Sequence, residues 1–366
     1  METIDVAIVG GGIIGLAAAH AVGSRRREVC VLEAYPRFGH ATSTRNSGVI
    51  HAGIDYPAGS LKATLCVEGR DRLYSFCEAR GVPYARCGKL VVACDEVEIR
   101  ALERTRDRAF ASGVEDVRLV ECAFVRAREP HVRAVAALWS PSSGIVEQEA
   151  LIRAMIDSAK GAGAHLLRAA PLVGAAARRD GIELSTPAER FVARVVVNAA
   201  GLHADEVSAL IGGERYRIHP CRGEYTELSP GARALISGLV YSVAGASGHT
   251  FGVRRTTRGT VLVGPTVRYQ EEKDDYERDR LPLDAFLEPT RRLIPSVQLS
   301  DLQPGGSGIR AKLRGSADPG FADFMIRRDG NVPRLVQAAG IDSPGLTASL
   351  AIGERVASLV EEALAG

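Results

Sequence analysis

What the chain lacks narrows its class first. No stretch of its 366 residues approaches the roughly 18 consecutive apolar residues of a membrane-spanning helix, so no transmembrane segment is expected. Charge of one sign is missing as well. The 46 basic and 44 acidic residues leave a net charge of +2, too small to hold the chain to nucleic acid or an anionic surface. Lysine is scarce, at 62, 89, 160, 273 and 312 only, a bias toward arginine that genomic base composition explains without a function. The seven cysteines (30, 66, 77, 87, 94, 122 and 221) are odd in number, irregularly spaced and without a CxxC pair. That disfavours a disulfide framework and a zinc site, so no metal is expected and the thiols are read as reduced, in a cytoplasm. Internal repeats and low-complexity linkers are absent too.

What is there is a globular composition, 46% hydrophobic and 25% charged, in a chain long enough for two domains. Its apolar start is broken by Asp5 and by glycines, with no basic segment before it. It therefore reads as a core strand and not as a signal peptide.

That strand runs into Gly10-Gly-Gly12-Ile13-Ile14-Gly15, then an Ala-rich helix, then Val29-Cys-Val-Leu-Glu33. Each part suits a dinucleotide. Gly10 allows the tight turn, Gly12 lets a pyrophosphate touch the backbone, and Gly15 lets helix and strand pack closely. The helix start, at Ile13 and Ile14, offers free N–H groups and a partial positive charge. Glu33 can accept hydrogen bonds from the hydroxyls of an adenosine ribose. A Gly-rich connector in an ordinary α/β unit is the bland alternative.

Three further segments favour FAD over NAD. In Ser43-Thr-Arg45-Asn46-Ser47-Gly48 and onward to Tyr56, small polar side chains can bond phosphate and ribityl oxygens, and glycines admit a flat ring. Val195 to Gly201 is an apolar strand ending in Ala199-Ala200-Gly201, suited to close backbone contact. Ser343-Pro-Gly345-Leu346-Thr347 reads as a loop entering a helix whose N-terminus would stabilise a reduced flavin. Each also has a plain reading, as a polar turn, a strand–helix turn or a capped helix.

The rest of the pattern places helices at 61–80, 95–112, 149–161 and 283–293, and from Gly345 onward. Strands are expected at 89–94, 192–197 and 335–340, and short ones at 216–220, 224–228, 238–243, 250–254 and 260–263. The short set reads as an antiparallel sheet. The charge run 270–280 reads as a solvated loop or helix start.

The run from Arg45 to Tyr56, with Ser60-Leu-Lys62-Ala, Cys87-Gly-Lys89, Ser140-Pro-Ser-Ser-Gly-Ile-Val146, Arg222-Gly-Glu-Tyr225, Gly308-Ile-Arg310 and Ser343-Pro-Gly-Leu-Thr347, resembles the L-2-hydroxyglutarate oxidase/dehydrogenase branch of the D-amino-acid-oxidase-like flavoproteins. The resemblance implies an α/β (α+β) fold, with a Rossmann-like FAD-binding domain and an inserted antiparallel β-sheet substrate domain. The expected division is 1–80, 146–212 and 306–366 for FAD, with 81–145 and 213–305 for substrate. It implies FAD-dependent oxidation of a small 2-hydroxy acid, L-2-hydroxyglutarate or a relative. Oxygen, a quinone or an electron-transfer protein would take the electrons, in a cytoplasmic enzyme with peripheral membrane association left open. A glycine/sarcosine-type amine or amino-acid oxidase and a non-catalytic flavin-binding protein are the alternatives. One departure bears on the substrate: Gly252-Val253-Arg254-Arg255-Thr256 carries Arg254 where the family usually has an imidazole.

Such chemistry needs a base for the hydroxyl proton and a cation for the carboxylate. His51 is the candidate base, since imidazole titrates near working pH. Packing against the flavin, or a covalent bond to it, are its other readings. The resemblance makes Arg310 the carboxylate clamp, a role its two-pronged guanidinium suits, with a structural salt bridge as its other reading. Arg254 would add a second cation for a second acidic group, unless it faces solvent. Tyr225, Tyr241 and Lys62 are weaker pocket candidates.

Overall fold

In the computed structural model, residues 2–244, 250–318 and 320–366 are described. Strand β1 (Thr3–Val9) is apolar almost throughout because it lies inside a parallel sheet covered on both faces. It pairs in parallel with β2 (Val29–Leu32) on one side and with Arg190–Asn198 on the other. The Arg190–Asn198 strand divides its far side between two partners. Ile182–Ser185 runs antiparallel to its start, and Leu335–Ala339 runs parallel to its end. His165–Leu167, Gly174–Ala177 and Met325–Arg328 complete eight strands.

Helix α1 (Ile13–Gly23), helix α2 (Leu61–Arg80) and the last helix, Gly345–Ala365, pack together beside this sheet, and small residues set their spacing. A Cβ on Gly353 would lie 2.6 Å from the Ala17 carbonyl oxygen, and one on Gly69 2.6 Å from the Ala348 Cα. The backbones therefore approach at distances no larger residue allows. Ser60 caps α2 by accepting from the Ala63 N–H, and Gly81 ends it in the left-handed conformation.

The second sheet has nine strands, in the order Arg268–Tyr269, His219–Leu228, Val261–Gly264, Gly252–Arg255, Leu239–Ser242, Lys89–Ala93, Ala136–Ser140 and Arg118–Glu121, with Leu302–Lys312 along the free side of His219–Leu228. Its pairs are antiparallel except Leu239–Ser242 with Lys89–Ala93. A small third sheet joins Val49–Ile50, Gly144–Val146 and Tyr84–Ala85. Among the described residues, no helix is long and apolar enough to cross a membrane.

Several expected boundaries move. The separate strands at 216–220 and 224–228 are one ten-residue strand, its register shifting between Glu224 and Thr226. The eleven-residue Leu302–Lys312 strand was not expected, because Pro304-Gly305-Gly306 reads as a breaker. It is tolerated because this strand pairs on one side only. It also runs across the expected domain boundary at 306. The 270–280 run is a loop held from beneath: the buried Arg222 guanidinium donates to the Asp275 and Arg278 carbonyls at 3.3 and 2.6 Å, and pairs with Glu224 at 3.1 Å.

The helix spacing is testable. Gly353→Leu should cost about 1–3 kcal/mol of stability through forced separation of the last helix from α1, read as a lower denaturant midpoint. An unchanged midpoint would show that the helices can move apart freely.

Candidate active site

A cavity of about 1980 Å³ is walled by both large sheets. The parallel sheet and its helices contribute Gly10, Gly12, Ile13, Ile14, Glu33, Ala200, Gly201, Gly345, Leu346 and Thr347 to its lining. The antiparallel sheet contributes Tyr225, Tyr241 and Arg310, and the 41–57 loop crosses between them with Ser43, Arg45, Asn46, Ser47 and His51.

The three fingerprint glycines divide their work. Gly10 has φ +110°, and a Cβ there would lie 2.3 Å from the Ala199 carbonyl oxygen; one on Gly15 would lie 1.9 Å from the Gly10 oxygen. Both are demanded by the chain itself. A Cβ on Gly12 meets only Ser43 Oγ, at 3.1 Å, so the protein leaves that space to a ligand. Gly12 is also the N-cap of α1 and gives no side-chain cap. The first-turn N–H groups are left to Ser43 Oγ, which accepts that of Ile13 at 2.9 Å, and to whatever enters the cavity.

Glu33 follows β2 and is 7% exposed, its carboxylate accepting from the Gly11 and Tyr35 N–H groups at 2.8 Å each. Burial raises its pKa, and those N–H groups offset part of the rise. Arg45 lies 4.2 Å over the Tyr276 ring. Asn46 folds its own loop, donating to the Thr42 and Ser43 carbonyls and accepting from the Gly48 N–H. Gly48 shapes the turn of this loop, at φ +65°, with room for a Cβ denied by the Val146 oxygen at 2.5 Å.

His51 is anchored through its backbone, which donates to Thr347 Oγ1 at 3.0 Å. Its Nε2 lies 3.3 Å from Ser343 Oγ, which also contacts the Tyr56 hydroxyl at 3.0 Å. Nδ1 faces Asp55 at 3.9 Å, an ion-pair distance too long for a hydrogen bond, and Asp55 is paired with Lys89 at 3.0 Å. Burial lowers the His51 pKa; Asp55 works against that, while the Lys89 and Arg254 charges add to it. The imidazole is therefore neutral at neutral pH. Burial opposes ionisation of Asp55 in turn, but Lys89 and His51 together outweigh it and hold the carboxyl below its usual range.

Arg310 lines the cavity with long contacts to the Cys221 and Thr266 carbonyls, at 3.5 and 3.4 Å, and to Cys221 Sγ at 3.9 Å, and forms no ion pair among the described residues. Gly223 makes its place: a Cβ there would meet the guanidinium at 2.7 Å. Arg254 departs from the solvent-facing reading given for it. It is 0% exposed and does not reach the cavity wall, standing behind Tyr225 and Tyr241 at 4.9 and 6.0 Å from their ring centres. Nη1 donates to the Gly264 carbonyl at 2.8 Å, while Nε and Nη2 have no partner among the described residues. It does not face solvent.

Tyr225, Tyr241 and Lys62 all line the cavity as expected. Asp55, Ser343 and Lys312 belong with them and were missed. Two had signals, Asp55 four residues beyond His51 and Lys312 two residues beyond Arg310 on one strand face.

The model of the FAD-dependent oxidoreductase (DAO) family matches residues 5–359. The mitochondrial L-2-hydroxyglutarate dehydrogenase of Arabidopsis thaliana is 32% identical over 98% of this chain and 83% of its own length. The L-2-hydroxyglutarate dehydrogenase of Escherichia coli is 29% identical over 99% and 94%. Among solved structures, the FAD-bound L-α-glycerophosphate oxidase of Mycoplasma pneumoniae superposes with a TM-score of 0.89 at 26% identity, over 99% of this chain and 95% of that one. The open space at Gly12, the uncapped helix start and the buried Glu33 carboxylate fit FAD. The chain belongs to the FAD-dependent oxidoreductase family, and is an enzyme of that class.

Proposed function

We propose that this enzyme oxidises a small 2-hydroxy acid, L-2-hydroxyglutarate or a close relative, to the corresponding 2-oxo acid. One observation carries the reading: the His51 imidazole and the Arg310 guanidinium, which has no carboxylate partner among the described residues, line the same cavity as the cofactor fingerprint. The near full-length similarity to L-2-hydroxyglutarate dehydrogenases supports the choice of substrate.

Arg310 holds the substrate carboxylate with two parallel hydrogen bonds in place of its long carbonyl contacts. His51 Nε2, paired at rest with Ser343 Oγ, accepts the hydroxyl proton. The imidazolium so formed presents Nδ1–H to Asp55, whose charge stabilises it. FAD held in this cavity would supply the hydride acceptor for the substrate carbon. Gly12, the start of α1 and Glu33 hold the dinucleotide, with Ser43, Arg45, Asn46, Ser47, Ala200, Gly201 and Gly345 to Thr347 along its path. We assign residues 1–80, 146–212 and 306–366 to FAD and the remainder to the substrate domain. Seven free thiols support a reducing compartment such as the cytoplasm. The electron acceptor is oxygen, a quinone or an electron-transfer protein.

The test is anaerobic stopped-flow bleaching of the flavin by a panel of hydroxy and amino acids. Bleaching by L-2-hydroxyglutarate supports the reading, and bleaching by amino acids alone replaces it with amine oxidation. His51→Ala should slow reduction by about two to four powers of ten. Arg310→Lys keeps the charge but loses the fork, and should mainly raise KM. Near-normal reduction in His51→Ala would reduce that residue to packing.

Reduction should rise with pH through a His51 pKa below its ordinary value, since only the neutral ring accepts a proton. Asp55→Asn removes the charge that raises this pKa, so the acid limb should move to lower pH. A limb that stays in place would uncouple Asp55 from the base.

Cofactor binding separates in two variants. Gly12→Val should fold but purify without flavin, because the protein has room there and a pyrophosphate does not. Glu33→Ala should weaken FAD binding by roughly 1.5–3 kcal/mol, with turnover near normal at saturating FAD. A turnover defect that excess FAD leaves unrepaired would contradict a purely binding role.

A further inference from the structure

The cavity wall carries a second set of charges that the mechanism above does not use. Lys62 Nζ lies 2.6 Å from Asp342 Oδ1, and Lys312 Nζ lies 3.0 Å from Asp342 Oδ2. The Lys62 and Asp342 side chains are 8% and 6% exposed, and that of Lys312 is 30% exposed. All three line the cavity. Two ammonium groups thus share one carboxylate, and neither has a second carboxylate in ion-pair range among the described residues. The cluster carries one unmatched positive charge.

Asp342 and Lys312 are held in their charged forms. Burial opposes ionisation of Asp342, but the two lysines outweigh it and keep its pKa low. Burial likewise opposes the charge on Lys312, and Asp342 outweighs it. Buried ions with an unmatched charge are poor stabilisers of a fold, since apolar side chains would fill the same space without the desolvation cost. The Phe321 and Phe324 rings stand 5.5 and 5.3 Å from Lys62 Nζ.

The position of the cluster ties it to the reacting end of the cavity. Asp342 precedes Ser343, the residue in contact with His51 Nε2. The same loop enters the last helix, whose first residues line the cavity and whose N-terminus directs a partial positive charge there. Lys312 follows Arg310 by two positions, on the same face of one strand.

We propose that the Lys62–Asp342–Lys312 cluster holds a single positive charge against the bound flavin and so favours its reduced state. Hydride transfer breaks the substrate C–H bond, forms an N5–H bond and brings two electrons onto the ring. The hydroxyl proton goes to His51, so the reduced ring is left with a negative charge. A fixed positive charge in a site shielded from water stabilises that product without reorganising. This inference rests on FAD binding, not on the identity of the substrate.

Sulfite is the probe, because it adds to flavin N5 and leaves the ring with the same negative charge. Sulfite affinity is read by flavin bleaching of the purified holoenzyme, and the midpoint potential by dye-coupled reduction. Lys62→Met and Lys312→Gln each remove the unmatched charge. Each should weaken sulfite binding by about tenfold or more and lower the potential. The decisive variant is Lys62→Met/Asp342→Asn. It dismantles the cluster but leaves Lys312 as one positive charge, and should return sulfite affinity to near the wild-type value. A merely structural cluster predicts the opposite, with the double variant no better than Lys62→Met. That result would overturn the proposal, as would wild-type affinity and potential in the single variants. If Lys62→Met loses its flavin, Lys312→Gln decides, because that side chain is partly exposed and its loss leaves the packing intact.

Discussion

Everything the cavity does depends on one close approach of backbones. Gly10 turns out of β1 at φ +110° directly against the Ala199 carbonyl, and Gly15 lies against the carbonyl of Gly10. Two parallel strands and a helix converge there at separations that exclude any side chain. The start of α1 is thereby brought to the mouth between the strands, where its unpaired N–H groups face the cavity. Any larger residue at those two positions would push the helix off the sheet, and the dinucleotide site would lose its floor.

The parallel half of the molecule was largely legible because its elements are local. An apolar strand, three spaced glycines and an acid at the end of the next strand describe one βαβ turn whose geometry follows from neighbours in sequence. Helix α2 was readable to the residue, since Ser60 caps it and Gly81 ends it. The antiparallel half was harder. Leu302–Lys312 carries both Arg310 and Lys312 yet opens with Pro-Gly-Gly, and only its place on a sheet edge makes those residues acceptable. Pairing over such distances is a tertiary fact that a local pattern does not contain.

The candidate site shows the same division. His51 and Arg310 were recognisable by residue type and by resemblance to family elements. Arg254 was equally conspicuous, but its depth behind two tyrosines could not be read from a five-residue string. Asp55 and Asp342 escaped notice because a carboxylate gains its meaning from the cations around it, and those come from remote strands and helices. Charge balance inside a cavity is a property of the assembled fold.

The Leu302–Lys312 strand has a mechanical consequence. It is hydrogen-bonded to His219–Leu228 along most of its length, and the Thr42 hydroxyl donates to its Ile309 carbonyl at 2.8 Å. Arg310 and Lys312 therefore ride on one strand that is held along its length by the sheet and touched at Ile309 by the 41–57 loop. A tilt of the sheet displaces both cations together. With the roles proposed for Arg310 and Lys312, grip on the substrate and the field around the flavin would change in step, so a small movement of the second sheet would act on recognition and electron affinity at once.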